Sequence, residues 1–438
     1  MCPNEYNVND LKRSYMMKKL WLGWIFTLLY CQSLGAQPVP GDLFREYRWF
    51  YEKGDAGQAI RVGGKQGQYH TDRGSEHGYI NAPMQLPHDL DLAEAVKAEI
   101  VVEKILCHDG TTGLAIQINN SDWYYFPEAG HIPAPQAGYQ HHTYPVIRVP
   151  LSVFKSGSNN SFRLRVDPKH PWRWPQNLIN GVHIRIYYNP ETKPHPNGTV
   201  TSPQSGGALG DTVKLSVEPK SADSLIKQVD YVGLYEDVNY EGDGVYRQWH
   251  YLYFHKQLMH HIGSVTTTPF DFIWDTSWIP DQKEPLQIAA RITDQTDLTY
   301  QTVAITNLSL KRTTRSVELC KPYDIPQKWV TRSGEKTESF DVRGDLNSAV
   351  AAQLVWSSWS PGYMNGILIN GTKVFDQEGP RYQTYYHRVT LTDLSMFQSG
   401  RNTLTTGKTP KYNGKMVHGM EVNWPGIMVL IQYNKKGD

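Results

Sequence analysis

Short segments in which apolar and polar residues alternate recur along most of the chain. Examples are VIRV at 146–149, FRLRV at 162–166 and HIRIYY at 183–188, each near a Pro, Gly, Asn or Ser that favours a turn. Alternation places every second side chain on the same face of a β-strand, so one face can be buried while the other contacts water. The pattern predicts a chain built mainly from short strands.

Length and composition refine this prediction. With 438 residues the chain is too long for one ordinary hydrophobic core, so several domains are expected. Aromatic residues make up 12% of the chain and charged residues 20%, a balance that favours strands over helical bundles. The sequence therefore predicts an all-β, multidomain β-sandwich protein. The formal net charge of +1 gives no electrostatic argument for nucleic acid or an anionic membrane as partner.

The first and last thirds contain matching segments. The first has GLAIQINNSDWYYF, VIRVPLSVFKSGSNNSFRLRV and GVHIRIYYN, and the last has GILINGTKVF, HRVTLTDLSMFQSGRNTLTT and PGIMVLIQYN. Asn119 and Asn370 each end a strand at a tight turn, and a Ser-Gly-x-Asn turn ends at Asn159 in the first unit and at Asn402 in the last. Asn and Gly tolerate the positive φ of such turns. Each third is therefore predicted to form one sandwich.

These two units resemble the jelly-roll, galactose-binding-like domains common in secreted glycan-active proteins. In those domains an ING-type loop lies between strands and an F-x-x-G-x-N turn precedes a core strand. The resemblance implies jelly-roll sandwiches at residues 41–190 and 316–435 and an extracellular polysaccharide or glycan as partner. It does not indicate a particular sugar.

The segment between them has a different pattern. Residues 210–312 contain VKLSVEP, KQVDYVGLYEDV, TPFDFIWDT and two long alternating segments. This order resembles the bacterial immunoglobulin-like modules that act as spacers in secreted enzymes, and TPFDFIWDT is its most specific part. The resemblance implies a central Ig-like sandwich. Residues 191–209 are dense in Pro, Gly, Ser and Thr and are predicted to be an exposed linker.

The N-terminal segment has the features of a secretory signal. Lys18 and Lys19 precede the apolar run LWLGWIFTLLY, and Ser33, Gly35 and Ala36 follow it. We expect residues 17–36 to be a signal peptide and 1–16 to be an upstream or disordered segment. The apolar run is too short to span a bilayer permanently, so no transmembrane helix is expected in the mature chain.

The cysteines bear on location and redox state. Cys31 offers an alternative of lipid attachment at the cell surface, although the bulky Tyr30 before it favours cleavage after Ala36 and a secreted or periplasmic protein. Cys107 and Cys320 would then remain, and one possible bridge is not a disulfide framework. Two buried thiols are the favoured interpretation.

Aromatic residues in loops bounded by Pro or Gly are the leading site candidates. An exposed indole or phenol offers a flat surface to the apolar C–H face of a sugar, while neighbouring polar groups bind its hydroxyls. The alternative is core packing, since sandwiches also bury Trp. The predicted ligand-binding residues lie in HPWRWPQN and SSWSPGYMNG and are Trp172, Arg173, Trp174, Trp356, Trp359 and Tyr363.

The segment EDVNYEGDG carries the candidate metal ligands Asp237, Asn239, Glu241 and Asp243. Oxygen ligands at alternate positions in a glycine-containing loop suit calcium, the one cofactor that the sequence suggests. The loop lacks the twelfth-position Glu of an EF-hand, and a solvated acidic turn is the competing interpretation. Adjacent histidines at 141–142 and 260–261 lack the spacing of a zinc motif.

Three functions are compatible with these features. The leading hypothesis is a secreted or cell-surface accessory protein that binds or processes carbohydrate through loop aromatics. A glycoside hydrolase or polysaccharide lyase is the first alternative, with catalytic groups in the titratable segment between His70 and His77 or at a domain interface. An adhesion or assembly protein is the second. Sequence alone leaves open whether the chain is an enzyme.

Overall fold

The computed structural model is all-β. It describes residues 38–51, 59–63, 83–86, 89–106, 111–128, 132, 139–166, 176–220, 225–238 and 247–435. Within these residues there are 31 strands, short 3-10 turns and no α-helix. The strands form several separate sheets, so the chain is a multidomain β-sandwich protein, as the alternating pattern predicts. The expected signal peptide lies outside the described residues, and no described helix is long and apolar enough to cross a membrane.

The N-terminal region packs two sheets on one core. Its strands are β1 (Leu43–Phe50), β2 (Ile60–Gly63), β3 (Met84–Gln85), β4 (Ala95–Leu106), β5 (Ala115–Ile118), β6 (Trp123–Tyr125), β7 (His141–Thr143), β8 (Val146–Val149), β9 (Ser161–Arg165) and β10 (Gln176–Tyr188). One sheet has the order β1-β10-β4-β7, with β2 on β10 and β8 on β4, and the other has the order β3-β9-β5-β6. Ile100 and Val182 from the first sheet meet Ile116 and Phe162 from the second.

The middle region has a second core. Its strands are β11 (Gly198–Ser202), β12 (Ala208–Leu209), β13 (Thr212–Pro219), β14 (Ile226–Glu236), β15 (Arg247–Trp249), β16 (Leu252–Phe254), β17 (Gln257–Met259), β18 (Gly263–Val265), β19 (Asp271–Asp275), β20 (Leu286–Asp294), β21 (Thr299–Gln301) and β22 (Ile305–Leu310). The sheet β11-β13-β19 faces strands of a larger sheet around β14 and β20, and β16 and β17 form a hairpin. Leu215 and Trp274 pack against Tyr231 and Ile288 between them.

The C-terminal region is a third sandwich. Its strands are β23 (Arg315–Cys320), β24 (Lys336–Val342), β25 (Ala349–Trp359), β26 (Ile367–Ile369), β27 (Thr372–Phe375), β28 (Thr384–Leu391), β29 (Gly400–Thr406), β30 (Glu421–Val422) and β31 (Met428–Asn434). The order is β23-β31-β25-β28 in one sheet, with β30 on β25, and β24-β29-β26-β27 in the other. Leu354 and Trp356 meet Phe340 and Ile367 in the core.

The N-terminal and middle regions share one 13-stranded sheet. The connection is made by β1 and β21, where Leu43 pairs with Tyr300 and Phe44 with Thr299. The segment 191–209, expected to be a linker, also supplies β11 and β12 to the middle region, which pair with β13 and β22. Val200 and Leu209 place apolar side chains in the core from these strands, which explains why so polar a segment joins a sheet.

The repeated turn is built from one half-buried and one buried asparagine in each unit. In the first unit, Asn119 has a φ of 51° and its Nδ2 donates to the Val153 carbonyl at 2.8 Å and to Asn160 Oδ1 at 3.1 Å. The backbone N–H of Ser161 donates to Asn119 Oδ1 at 3.0 Å. Asn160 closes the turn that begins at Lys155. Its Oδ1 accepts from the Lys155 N–H and its Nδ2 donates to the Lys155 carbonyl, at 2.8 Å each.

The last unit contains the same arrangement. Asn370 has a φ of 49°, and its Nδ2 donates to the Met396 carbonyl at 2.9 Å and to Asn402 Oδ1 at 2.7 Å. The Thr403 backbone N–H donates to Asn370 Oδ1 at 2.9 Å. Asn402 bonds both the N–H and the carbonyl of Gln398, at 2.9 Å and 2.7 Å. The two units therefore close their turns with an equivalent pair of asparagines.

This equivalence corrects one residue of the sequence comparison. Asn160 is the counterpart of Asn402, whereas the Ser-Gly-x-Asn pattern had matched Asn159 to it. The first unit has one residue more in the turn, and Asn159 takes it up at the surface with a φ of 71°. An exposed Asn adopts this left-handed conformation at little cost in free energy, so the extra residue does not disturb the hydrogen bond between Asn119 and Asn160.

Candidate functional site

The structure buries the three predicted aromatic ligands that it describes. Trp356 is fully buried and stacks on His387, with ring centroids 4.1 Å apart. Trp359 packs on Ile105 and Leu178 of the N-terminal region. Tyr363 is 5% exposed. The exposure expected for these residues is thus not found. The sheet that carries Trp356 and Trp359 on β25 is covered on both of its faces, and the 3-10 turn that carries Tyr363 is buried as well. Trp172, Arg173 and Trp174 lie outside the described residues.

The predicted calcium loop is described only at its first residue. Asp237 is buried, while Asn239, Glu241 and Asp243 lie outside the described residues, as does the segment from His70 to His77. Among the residues that the structure describes, no group of three or more His, Cys, Asp or Glu side chains is arranged to hold a metal ion. Calcium binding therefore stays a prediction.

The thiol prediction is tested at one of its two positions. Cys320 is a buried free thiol, and burial raises its pKa. Cys107 lies outside the described residues. The buried thiol expected at Cys107 thus stays a prediction.

A cavity of about 460 Å³ lies between the middle and C-terminal regions. The middle region contributes the end of β14, the turn after the β16–β17 hairpin and the segment from β19 to residue 279. The C-terminal region contributes β28. On this strand Tyr386 and Arg388 face the cavity, whereas His387 between them points into the core against Trp356. Strand alternation therefore places the polar side chains of Tyr386 and Arg388 in the cavity and the ring of His387 in the core behind it.

Tyrosine, tryptophan and phenylalanine side chains line the cavity. Tyr235 and Trp274 are almost fully buried, with ring centroids 5.5 Å apart. Trp278 and Tyr386 are half-buried and offer ring surface to a ligand. The ring of His260 lies 5.8 Å from that of Tyr386 at an angle of 69°, so it extends the aromatic wall across the junction.

Asp237 and Arg388 form the charged side of the cavity. Burial raises the pKa of Asp237 to about 6, while Arg388 and the Val238 backbone N–H, 2.7 Å from Oδ1, oppose the shift. Arg388 Nη1 donates to Gln353 Oε1 at 3.1 Å and Nη2 donates to the Tyr386 hydroxyl at 3.4 Å. The guanidinium is thus held in one orientation beside a carboxylate that ionises close to neutral pH.

The uncharged polar groups of the cavity have shifted pKa values as well. Burial raises the pKa of the Tyr386 hydroxyl. The pKa of His260 lies well below its usual value because of burial and, secondarily, the neighbouring His250 and Arg388. At neutral pH both side chains are uncharged hydrogen-bonding groups.

His261 is held by a hydrogen-bonded chain that leads away from the cavity. Its Nε2 lies 2.8 Å from Ser264 Oγ, and that hydroxyl donates to Asp230 Oδ1 at 2.5 Å. Tyr251 donates to the other oxygen of Asp230 at 3.2 Å. The single hydroxyl hydrogen of Ser264 is donated to Asp230, so Ser264 accepts from His261 Nε2–H. Neutral His261 then carries its free lone pair on Nδ1.

The residues of this cavity were not identified from sequence as a site. Trp274 belongs to TPFDFIWDT, which indicated only a fold, and His260 and His261 were considered only as metal ligands. Tyr386 and Arg388 carry a local signal, since they share one face of a strand. Nothing local shows that this face meets residues 235–279.

Comparisons with known proteins identify no family. No family model and no curated protein sequence matches the chain. Among solved structures, the chain is similar to fibronectin(III)-like modules of CbhA from Clostridium thermocellum, at 15% identity over 26% of this chain and 98% of that one, with a TM-score of 0.17. It is similar to a β-porphyranase of glycoside hydrolase family 86 from Bacteroides plebeius, at 10% identity, 56% and 38% coverage and a TM-score of 0.21.

A third similarity covers most of the chain. The ANXUR2 extracellular domain of Arabidopsis thaliana matches 89% of this chain and 91% of its own, at 10% identity and a TM-score of 0.18. At these TM-scores none of the likenesses carries an argument about fold or activity. The jelly-roll and Ig-like assignments, the domain boundaries and the secreted location accordingly stay predictions.

Proposed function

We propose that the protein binds carbohydrate in the cavity between its middle and C-terminal sandwiches. The observation that carries this proposal is the composition of the cavity wall, in which aromatic rings adjoin a fixed guanidinium, a carboxylate and two imidazoles. Its volume of about 460 Å³ falls in the range of about 300–1,000 Å³ found for small-molecule sites.

The physical match is to a ligand that is flat and apolar on one face and polar at its edge. A pyranose presents axial C–H groups on its face and hydroxyls around its rim. The half-buried rings of Trp278 and Tyr386 suit the face, while Asp237 and Arg388 suit the hydroxyls as acceptor and donor. Extracellular polysaccharide or glycan is therefore the proposed partner.

Binding is better supported than hydrolysis. Glycoside hydrolysis generally uses two carboxyl groups on either side of the scissile bond, one of them with a raised pKa. Asp237 has the raised pKa, but Asp275, the other described carboxylate of the cavity, is exposed at its rim and accepts the Ser277 backbone N–H at 2.8 Å. A lyase mechanism needs a tyrosine that ionises readily, and burial has the opposite effect on Tyr386.

The test is a screen of the purified full chain against soluble polysaccharides, with native-gel retardation and reducing-end release measured on the same samples. We expect retardation without release. Trp278→Ala should weaken it about fivefold to tenfold, the effect of losing one ring contact. Trp278 also packs beside an apolar cluster, so Arg388→Gln serves as a second variant that leaves this packing intact.

Tyr125→Ala is the matched control, because Tyr125 is a 53% exposed ring on the N-terminal region. Retardation that both cavity variants leave unchanged would contradict the proposed site. Release of reducing ends would replace binding by hydrolysis. Failure to retard any polysaccharide would overturn the proposal in favour of an adhesion protein.

A further inference from the structure

A second group of aromatic and cationic side chains lies on loops of the C-terminal sandwich. We name it the loop face and define it by Tyr363, Arg381, Tyr382, Tyr412 and His418. The guanidinium carbon of Arg381 lies 4.8 Å from the ring centroid of Tyr363 and 4.7 Å from that of Tyr412. The cation therefore contacts two phenol rings that also contact each other, with ring centroids 5.5 Å apart. The ring of Tyr382 lies 5.6 Å from that of Tyr363 and is 43% exposed as a residue.

The backbone beneath the loop face is well fixed. Tyr382 has a φ of 56°, and its N–H donates to Ser360 Oγ at 2.8 Å. Gly362 N–H donates to the Pro380 carbonyl at 2.9 Å. Thr409 Oγ1 donates to the Tyr363 carbonyl at 2.8 Å, so it ties the 407–416 segment to the same site. The rings are thus ordered before any ligand arrives, which lowers the entropy cost of binding.

The charge around the loop face is predominantly positive. Arg381 is exposed, and its Nε donates to the Gly362 carbonyl at 3.3 Å. The exposed residues Lys408, Lys411 and Lys415 belong to the segment that carries Tyr412. Arg381 and these lysines form no ion pair with a carboxylate in the described part of the chain.

Two carboxylates lie close to the loop face. Glu421 is 8% exposed, and its Oε1 lies 3.3 Å from His418 Nε2 while its Oε2 accepts from Gln140 Nε2 at 2.6 Å. Glu378 accepts from the Tyr385 hydroxyl at 3.4 Å. Glu421 is thus occupied by partners of its own, and the positive groups outnumber the negative ones at the surface.

We propose that the loop face is a second saccharide site and that its ligand is an anionic polysaccharide bearing carboxylate or sulfate groups. Arg381 presents a planar fork of donors suited to a carboxylate or sulfate. Tyr382 and Tyr412 offer rings to adjacent sugar faces. This site is separate from the cavity and does not depend on the function proposed for it.

Affinity of the purified full chain for polygalacturonate, dextran sulfate and neutral dextran tests the proposal. Arg381→Gln should weaken binding of the two anionic polymers about tenfold, the effect of losing one charge-assisted contact. Tyr382→Asn removes the ring with a residue that tolerates positive φ, and it should weaken binding about fivefold. Neutral dextran should not bind at this site. Lys227→Gln is the control, since Lys227 is an exposed lysine of the middle region.

Two further measurements decide between sources of binding. Affinity for a single-stranded oligonucleotide shows whether the loop face binds any polyanion. The proposal is overturned if the oligonucleotide binds as tightly as polygalacturonate and Tyr382→Asn weakens the binding of neither polymer. The loop face would then be only a basic surface. Arg388→Gln tests the cavity as the alternative site for polygalacturonate. If it removes that affinity while Arg381→Gln does not, the anionic chain binds in the cavity, which overturns this proposal and supports the first.

Discussion

The N-terminal and C-terminal sandwiches close their repeated turns in the same way but pack on the middle region by opposite means. On the N-terminal side, the face of β1, β10 and β4 turned away from the core carries Glu46, Arg185, Glu99 and Glu103, all buried or nearly so. On the C-terminal side, Val355, Met428 and Leu430 pack with Val238 and Trp278. One contact is a charged layer and the other is apolar.

Within the charged layer, Glu46 is paired with two arginines. Arg185 Nε lies 2.6 Å from Glu46 Oε2, and Arg48 lies 2.7 Å from the other oxygen. Burial opposes ionisation of Glu46, but the two arginines hold its pKa well below its usual value. The Tyr187 hydroxyl donates to Glu99 at 2.6 Å, and the Arg291 guanidinium carbon lies 3.8 Å from the centroid of the Tyr251 ring.

The two contacts should differ in how their stability responds to substitution, pH and salt. An apolar contact loses stability in proportion to the area removed and depends little on pH or salt. A buried ion pair gains little net stability when intact, but loss of one partner leaves the other charge unpaired in a medium of low dielectric constant. The N-terminal contact should therefore tolerate single substitutions less well than its apolar counterpart and should also depend on pH.

The largest expected effect comes from Arg185→Met. The variant leaves Glu46 buried with Arg48 as its remaining partner, and it should lower the free energy of unfolding by about 3 to 4 kcal/mol. Urea unfolding of the full chain, followed by tryptophan fluorescence, measures this. Arg401→Met is the control, because the pair of Arg401 with Asp324 is 64% and 63% exposed and should be worth about 0–1 kcal/mol. If both variants lost the same free energy of unfolding, the charged layer would be hydrated.

A pH-dependent effect is expected at Glu103. Its carboxylate is fully buried, receives the His255 backbone N–H at 3.3 Å and lies 3.4 Å from His142 Nε2. Burial raises the pKa of Glu103 from 4.5 to about 7, and His255 only partly opposes this. Because the folded state favours the protonated acid, the stabilisation is complete below pH 4.5 and is lost as the pH rises through about 7.

Glu103→Gln keeps the shape of the side chain and removes the ionisation. The variant should match the parent near pH 4.5 and exceed its free energy of unfolding by about 2 to 3 kcal/mol above pH 7. Urea midpoints at about pH 5 and pH 8 provide the comparison. Glu335→Gln, at an exposed position, should show no such dependence. A difference that is the same at both pH values would mean that the Glu103 carboxyl ionises normally.

Much of the architecture follows from sequence because its determinants are local. The alternation in FRLRV and HIRIYY predicts strands, and both form them in β9 and β10. Asn119 and Asn370 predict tight turns and adopt positive φ in both units. The three largest core clusters lie one in each group of strands, while the domain boundaries expected from the change of pattern between the thirds stay predictions.

The candidate sites were less accessible to sequence because their determinants are not local. Trp356 and Trp359 lie in a segment that resembles a loop, but β25 is a strand covered on both faces, so alternation no longer distinguishes exposed from buried rings. The cavity joins Tyr235 to Tyr386, residues more than a hundred positions apart. Such convergence depends on how the sandwiches pack, which no periodicity encodes.

The smallest expected effects test whether the two sandwiches close their repeated turns with equivalent asparagines. Asn160→Ala and Asn402→Ala each leave buried backbone groups without partners and should each cost about 1 to 2 kcal/mol in the free energy of unfolding. Asn159→Gly is the matched control: Asn159 is exposed, its Nδ2 donates to Ser158 Oγ at 3.3 Å, and its φ is one that Gly adopts freely. It should change stability by less than about 0.5 kcal/mol. If Asn159→Gly lowered the free energy of unfolding strongly and Asn160→Ala did not, Asn159 would be the counterpart of Asn402, as the Ser-Gly-x-Asn pattern indicates. The hydrogen bonds of Asn160 would then not be what closes the turn.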